Sequence, residues 1–146
     1  MALCAYPSVG AGEMNTEEVL FELGGYKPAL ILRDGKYVYV VPVDFGHYAN
    51  IRDIPITKRE ADILLADLER FVFLWAAVHP YYQSGLKLGP RIRKIVETVV
   101  LGSDAEVETF LTREDRMSRG GVRNLASKQL GYDVGDGQWF GLGHGD

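Results

Sequence analysis

The stretch KPALILRDGKYVYVVPV, Lys27 to Val43, holds two β-rich runs, Ala29 to Arg33 and Lys36 to Val43, on either side of Asp34-Gly35. A two-residue type I′ turn needs positive φ at both central positions, which Asp-Gly tolerates, so the spacing predicts an antiparallel hairpin over about residues 29–43. Strand alternation places Tyr37, Tyr39, Val41 and Val43 on one face and Val38 and Val40 on the other. Both faces are apolar, and both should be covered. Pro42 lacks a ladder donor and points to an edge or a strand end. Two strands alone are marginal in water, so a third is expected, from residues 2–9 or from the neighbourhood of Ile51 to Ile56.

Outside the hairpin the signals are helical. Upstream, Asn15 or Thr16 suits a helix start, Glu17 and Glu18 suit its positive end, and Gly24 stops it, with Val19, Leu20 and Leu23 sharing a face. Downstream, Thr57-Lys58-Arg59-Glu60 is a capping box, in which Thr57 and Glu60 satisfy each other's backbone N–H groups. Ala61, Leu64, Leu65, Leu68, Phe71, Val72, Trp75 and Ala76 then recur at three- and four-residue steps. They predict one long core helix, Lys58 to His79, about 33 Å in length and closed before Pro80. Pro90 opens another helix carrying Ile92, Ile95, Val96, Val99 and Val100 to Gly102, although the β-branched run at 95–100 also permits a strand. Ser103-Asp104-Ala105-Glu106 is a second capping box, with Val107, Phe110 and Leu111 facing inward. A last helix, Val122 to Leu130, is closed by Gly131.

The fold expected is therefore α+β: a small antiparallel sheet packed on the long helix 58–79 and shorter C-terminal helices. Residues 1–146 form one domain, with a loose N-terminal segment (1–14) and a Gly-rich C-terminal segment (131–146) where Trp139, Phe140 and Leu142 dock. Of 146 residues 47% are hydrophobic and 25% charged, enough for a core without a metal or disulfide staple. The longest apolar run, Phe71 to Val78, is far short of the ~20 residues that span a bilayer. With no basic, apolar leader at the start and only Cys4, a cytoplasmic protein is expected.

Few residues suggest chemistry. The three histidines, His47, His79 and His144, show no helical pairing and Cys4 stands alone, so no metal site and no cofactor are expected. Asp44 and His47 could face each other across a turn as an acid–base pair, and Glu60 could serve as a base; a turn carboxylate bonding local backbone explains Asp44 more simply. His79 suits the negative end of the long helix. Neither a nucleophile elbow nor a phosphate-cradling glycine loop is present, Gly10-Ala11-Gly12 and Gly135-Asp136-Gly137 reading as plain loops. Leu125 to Val134, LASKQLGYDV, resembles the second-helix-and-turn segment of helix-turn-helix proteins, with Ala126 and Gly131 at the small positions and Arg113, Arg116, Arg119, Arg123 and Lys128 nearby. The chain after it reads GDGQWFG, which is no recognition helix, so nucleic acid is disfavoured as a partner.

Charge asymmetry is the remaining signal. The net charge of -4 is concentrated in the first half, and residues 1–26 hold Glu13, Glu17, Glu18 and Glu22 with no Lys or Arg. These glutamates, with Tyr37, Tyr39, Tyr81 and Tyr82 as amphipathic anchors, are the candidate partner-binding residues. The reading that results is a non-enzymatic protein-binding domain, for instance an inhibitor or immunity-type protein masking a basic enzyme. A small enzyme using Asp44, His47 or Glu60 is the alternative, and a nucleic-acid-binding regulator acting through the basic C-terminal helices is third.

Overall fold

A computed structural model of the chain describes residues 16–24, 27–44, 49–83, 89–134 and 138–141. It is α+β, and it divides between Ala61 and Asp62 into two compact units.

The first unit is an antiparallel sheet in the order β1-β2-β3-β4, made of Glu17–Glu22, Ala29–Arg33, Lys36–Asp44 and Ala49–Ile56. The hairpin forms as expected: Asp34 and Gly35 both have positive φ, 52° and 78°. β4 is the third strand foreseen at Ile51 to Ile56, while residues 2–9 lie outside the described residues. Leu30, Tyr39 and Ile54 stand opposite one another across β2, β3 and β4 and are all but inaccessible. On the opposite face Ile31 and Val38 pair and are buried as well. Pro42 pairs with Ile51 beyond the last β2 partner, Val40, so β3 is paired on one side only where the ladder donor is missing.

The helix expected from Thr16 to Gly24 is instead β1. Its glutamates and leucines favour a helix locally, yet a six-residue segment holds too few apolar positions to separate a 3.6 period from a 2.0 period. Pairing decides it. Glu17 to Glu22 join β2 from Arg33 to Ala29 with a bulge between Val19 and Phe21. The turn residue Asp34 also anchors the strand, accepting the Thr16 N–H at 3.1 Å and donating its own N–H to the Thr16 carbonyl at 2.9 Å.

Gly35 has open space around its missing side chain, so only its φ restricts substitution. Gly35→Val should lower stability by about 1–2 kcal/mol, the cost of a β-branched residue in the left-handed region. Thermal melting checks this, and an unchanged midpoint would exclude the turn.

The Thr57–Glu60 capping box is present, with Glu60 Oε1 accepting the Thr57 N–H at 2.9 Å and Thr57 Oγ1 accepting the Glu60 N–H at 3.1 Å. The helix it opens is not continuous to His79. α1 is Lys58–Ala66 and α2 is Leu68–Gln83, because Asp67 caps α2 by accepting the Arg70 N–H at 3.1 Å. Leu65 and Leu68, expected in the core, are exposed on either side of this break. Nor does α2 stop before Pro80. The helix carries the proline for one further turn, where the Tyr81 hydroxyl donates to Glu114 at 2.6 Å.

In the second unit every residue from Glu69 to Val78 is buried, and α2 is touched by all the later helices. These are α3 (Gly89–Val96), α4 (Asp104–Met117) and α5 (Gly121–Leu130), with a π-helical turn at Glu97–Leu101 continuing α3. Residues 95–100 are thus helical, not a strand. The Ser103–Glu106 capping box is complete, and Gly131 ends α5 in the left-handed region, as expected. Trp75, foreseen as core, is 6% exposed, although its Nε1 has no hydrogen-bond partner among the described residues.

Candidate functional site

β1 is an outer strand of the sheet, bonded to β2 alone among the described residues. Glu17, Glu18 and Glu22 are exposed on it, and Val19 beside them is 54% exposed. The Arg33 guanidinium donates to Glu17 at 3.4 Å and to Asp53 at 2.7 Å, bridging β1 and β4. The hydrogen bond to Asp53, and then the nearby negative charges, raise Arg33 above its ordinary value despite partial burial. No ion pair engages Glu18 or Glu22 among the described residues. Glu13, the fourth candidate glutamate, lies outside them.

Tyr39 is fully buried within the sheet and Tyr37 is half-buried. Tyr81 and Tyr82 belong to the last turn of α2, in the other unit. Burial, and after it the Glu114 carboxylate, push the Tyr81 phenol above its ordinary value. The Arg91 guanidinium sits 5.3 Å from the Tyr81 ring centre. These contacts tie the Tyr81 ring to α4 and α3.

Glu60 and Asp44 fall on different elements, α1 and β3. Glu60 is 1% exposed with its carboxylate in the capping box, Asp44 ends β3, and His47 lies outside the described residues. His79 lines a cavity of about 760 Å³ between α2 and α5, with Pro80, Asn124, Ser127, Lys128 and Asp133. Among the described residues no three acidic, histidine or cysteine side chains are placed to hold a metal ion. No helix of the described residues is long and apolar enough to cross a membrane.

Three carboxylates, Glu69, Glu108 and Glu114, tie the second unit together. Glu69 accepts the Tyr132 hydroxyl and, at 2.6 Å, the Gly141 N–H. Burial, and then the hydrogen bond to Glu69, push the Tyr132 phenol far above its ordinary range. Glu108 accepts the N–H groups of Trp139 and Phe140 at 2.7 and 3.1 Å. These bonds dock residues 138–141 as anticipated for Trp139 and Phe140; Leu142 lies outside the described residues. Glu114 was visible in one respect, since it continues the buried stripe Val107, Leu111 at helical spacing. A carboxylate on an apolar stripe signals an interior partner, here Tyr81.

No known protein family, curated protein or solved structure matches this chain.

Proposed function

We propose that this chain is a non-enzymatic protein-binding domain that takes a basic, extended segment of its partner along β1. The observation carrying this reading is the placement of Glu17, Glu18 and Glu22 on an outer strand rather than on a helix. An outer strand offers main-chain groups for pairing with an added strand, and the side chains along it select the partner's charge. Glutamate disfavours a second acidic strand and favours Lys and Arg. An inhibitor or immunity-type protein masking a basic enzyme is the form of this function that the charge pattern suits. Glu60, held in its cap, does not support the enzyme alternative.

Co-purification from the native cell followed by mass spectrometry identifies the partner, and titration at two salt concentrations tests the contact. Exposed charges are screened beyond about 8–10 Å at physiological ionic strength, so affinity should fall as salt rises. Glu18→Lys with Glu22→Lys should slow association about tenfold or more while changing dissociation much less. An affinity flat with salt and indifferent to both substitutions would refute the docking role of β1.

A further inference from the structure

The helix-turn-helix resemblance lies one element earlier in the structure than in the sequence. α5, read as the helix that precedes the recognition helix, stands in the recognition helix's own place: α4, the turn Ser118-Arg119-Gly120 and α5 follow directly on one another. A short glycine-containing turn of this kind joins the two helices of DNA-binding pairs. The Gly120 N–H donates to the Asp115 carbonyl at 2.9 Å and the Arg119 N–H to the Arg116 carbonyl at 3.2 Å, a Schellman closure. In that motif the residue after the cap adopts positive φ and is usually glycine. Here it is Arg119, at φ 57°, although glycines stand at the next two positions. The strained position carries a cation at the tip of the turn.

Charge is sorted around that tip. Arg116, Arg119, Arg123 and Lys128 are exposed, and none has an ion pair among the described residues. Arg113, also exposed, has a loose one, 3.8 Å to Glu114. Of the acidic side chains nearby, Glu114 and Asp115 are engaged, while Asp133 is exposed beside Asn124 and Lys128. Glu114 is 6% exposed and holds Tyr81, and the Asp115 carboxylate caps α5 by accepting the Arg123 N–H at 2.7 Å. Val122 and Ala126 face inward at 0% exposure, so α5 turns Arg123, Asn124 and Lys128 outward. A chain with net charge -4 thus presents a surface here on which cations predominate, four of them without an ion pair among the described residues, against the single exposed carboxylate of Asp133.

We propose that α4, the Arg119 turn and α5 bind duplex DNA, the four cations contacting phosphates and α5 facing the major groove. That groove, about 12 Å wide, admits a helix, and Asn124 among the cations has the amide that pairs with an adenine edge. The proposal is independent of the β1 reading, whose partner has the opposite charge.

The test is fluorescence anisotropy of the intact chain with a labelled duplex of about 20 base pairs, two helical turns. Four phosphate contacts predict an affinity about 100-fold weaker at about 200 mM than at about 50 mM salt. Arg123→Gln with Lys128→Gln should lower the salt slope by about two. Arg119→Gly separates binding from folding: it should lower the slope by about one while raising the melting temperature by about 2–4 °C, since it relieves the positive φ. No binding at about 50 mM salt, or slopes unmoved by these variants, would overturn the proposal. So would poly-glutamate bound as tightly as the duplex with the same response to the variants, which would assign the surface to an acidic protein.

Discussion

Arg70→Ala is expected to lower stability by about 3–5 kcal/mol, because it leaves several buried backbone carbonyls without a donor, at about 1–3 kcal/mol each. Arg70 is 8% exposed. Its Nη1 donates to the carbonyls of Val99, Val100 and Gly102 at 2.9, 3.1 and 2.8 Å, closing the end of the π-helical turn. Its other nitrogens bond Asp67 at 3.2 Å and Asp104 at 2.8 Å, so one side chain joins the start of α2 to the start of α4. Alanine would strand those acceptors. A π turn leaves carbonyls off the regular ladder, and Gly102 lets the chain fold tightly behind it, for a Cβ there would lie 2.5 Å from the Thr98 carbonyl oxygen. Lysine keeps the charge but not the planar fork, so Arg70→Lys should recover only part of the loss. Chemical denaturation of the three proteins decides the matter. If alanine lowers stability by less than about 1 kcal/mol, or lysine restores it fully, the guanidinium geometry is not what holds these helices.

Trp139→Ala should cost about 3–5 kcal/mol, the range for truncating a buried aromatic side chain. Trp139 is 1% exposed and meets Phe73 edge to face, with centroids 5.9 Å apart, while Phe140 packs on the same ring at 5.2 Å. Its indole N–H donates to Thr112 Oγ1 at 3.0 Å. The substitution removes that anchor, and the bonds from Trp139 and Phe140 to Glu108 and from Gly141 to Glu69 should open with it. Hydrogen exchange resolves the consequence: amides 139–141 should lose protection beyond the global loss. Protection unchanged at Phe140 and Gly141 would mean that the carboxylates, not the ring, dock the segment.

The surfaces argued to function were legible as composition and not as geometry. The glutamates at 17, 18 and 22 and the cations from 116 to 128 stand out by charge alone. Whether the first set lies on a helix or an outer strand depends on pairing with residues 29–33, and a helix was the wrong expectation. For the second set the sequence pattern points to a recognition helix after α5, where none follows among the described residues, while the short turn that joins α5 to another helix precedes it. The tyrosines were the reverse case. Tyr39 looks like an interface residue in the sequence, but in the fold it is fully buried beside Leu30 and Ile54.

What the sequence by itself determined lies where the constraint is local. Asp34-Gly35, the capping boxes at Thr57 and Ser103, and Gly131 each solve a requirement of dihedral angle or of unpaired N–H groups within a few residues, so the chain carries the answer in place. Tertiary structure decided the rest. Apolar periodicity runs through Asp67 without interruption, and that residue became a cap because Arg70 bonds its side chain while reaching carbonyls about thirty positions away. Pro80 stayed inside α2 because Tyr81 found Glu114. Glu17 to Glu22 became a strand because a neighbouring strand supplied the hydrogen bonds, which a short segment with helical residues cannot foretell. In each case the deciding partner is remote in sequence, and its contribution outweighs local preferences of a few tenths of a kcal/mol per residue.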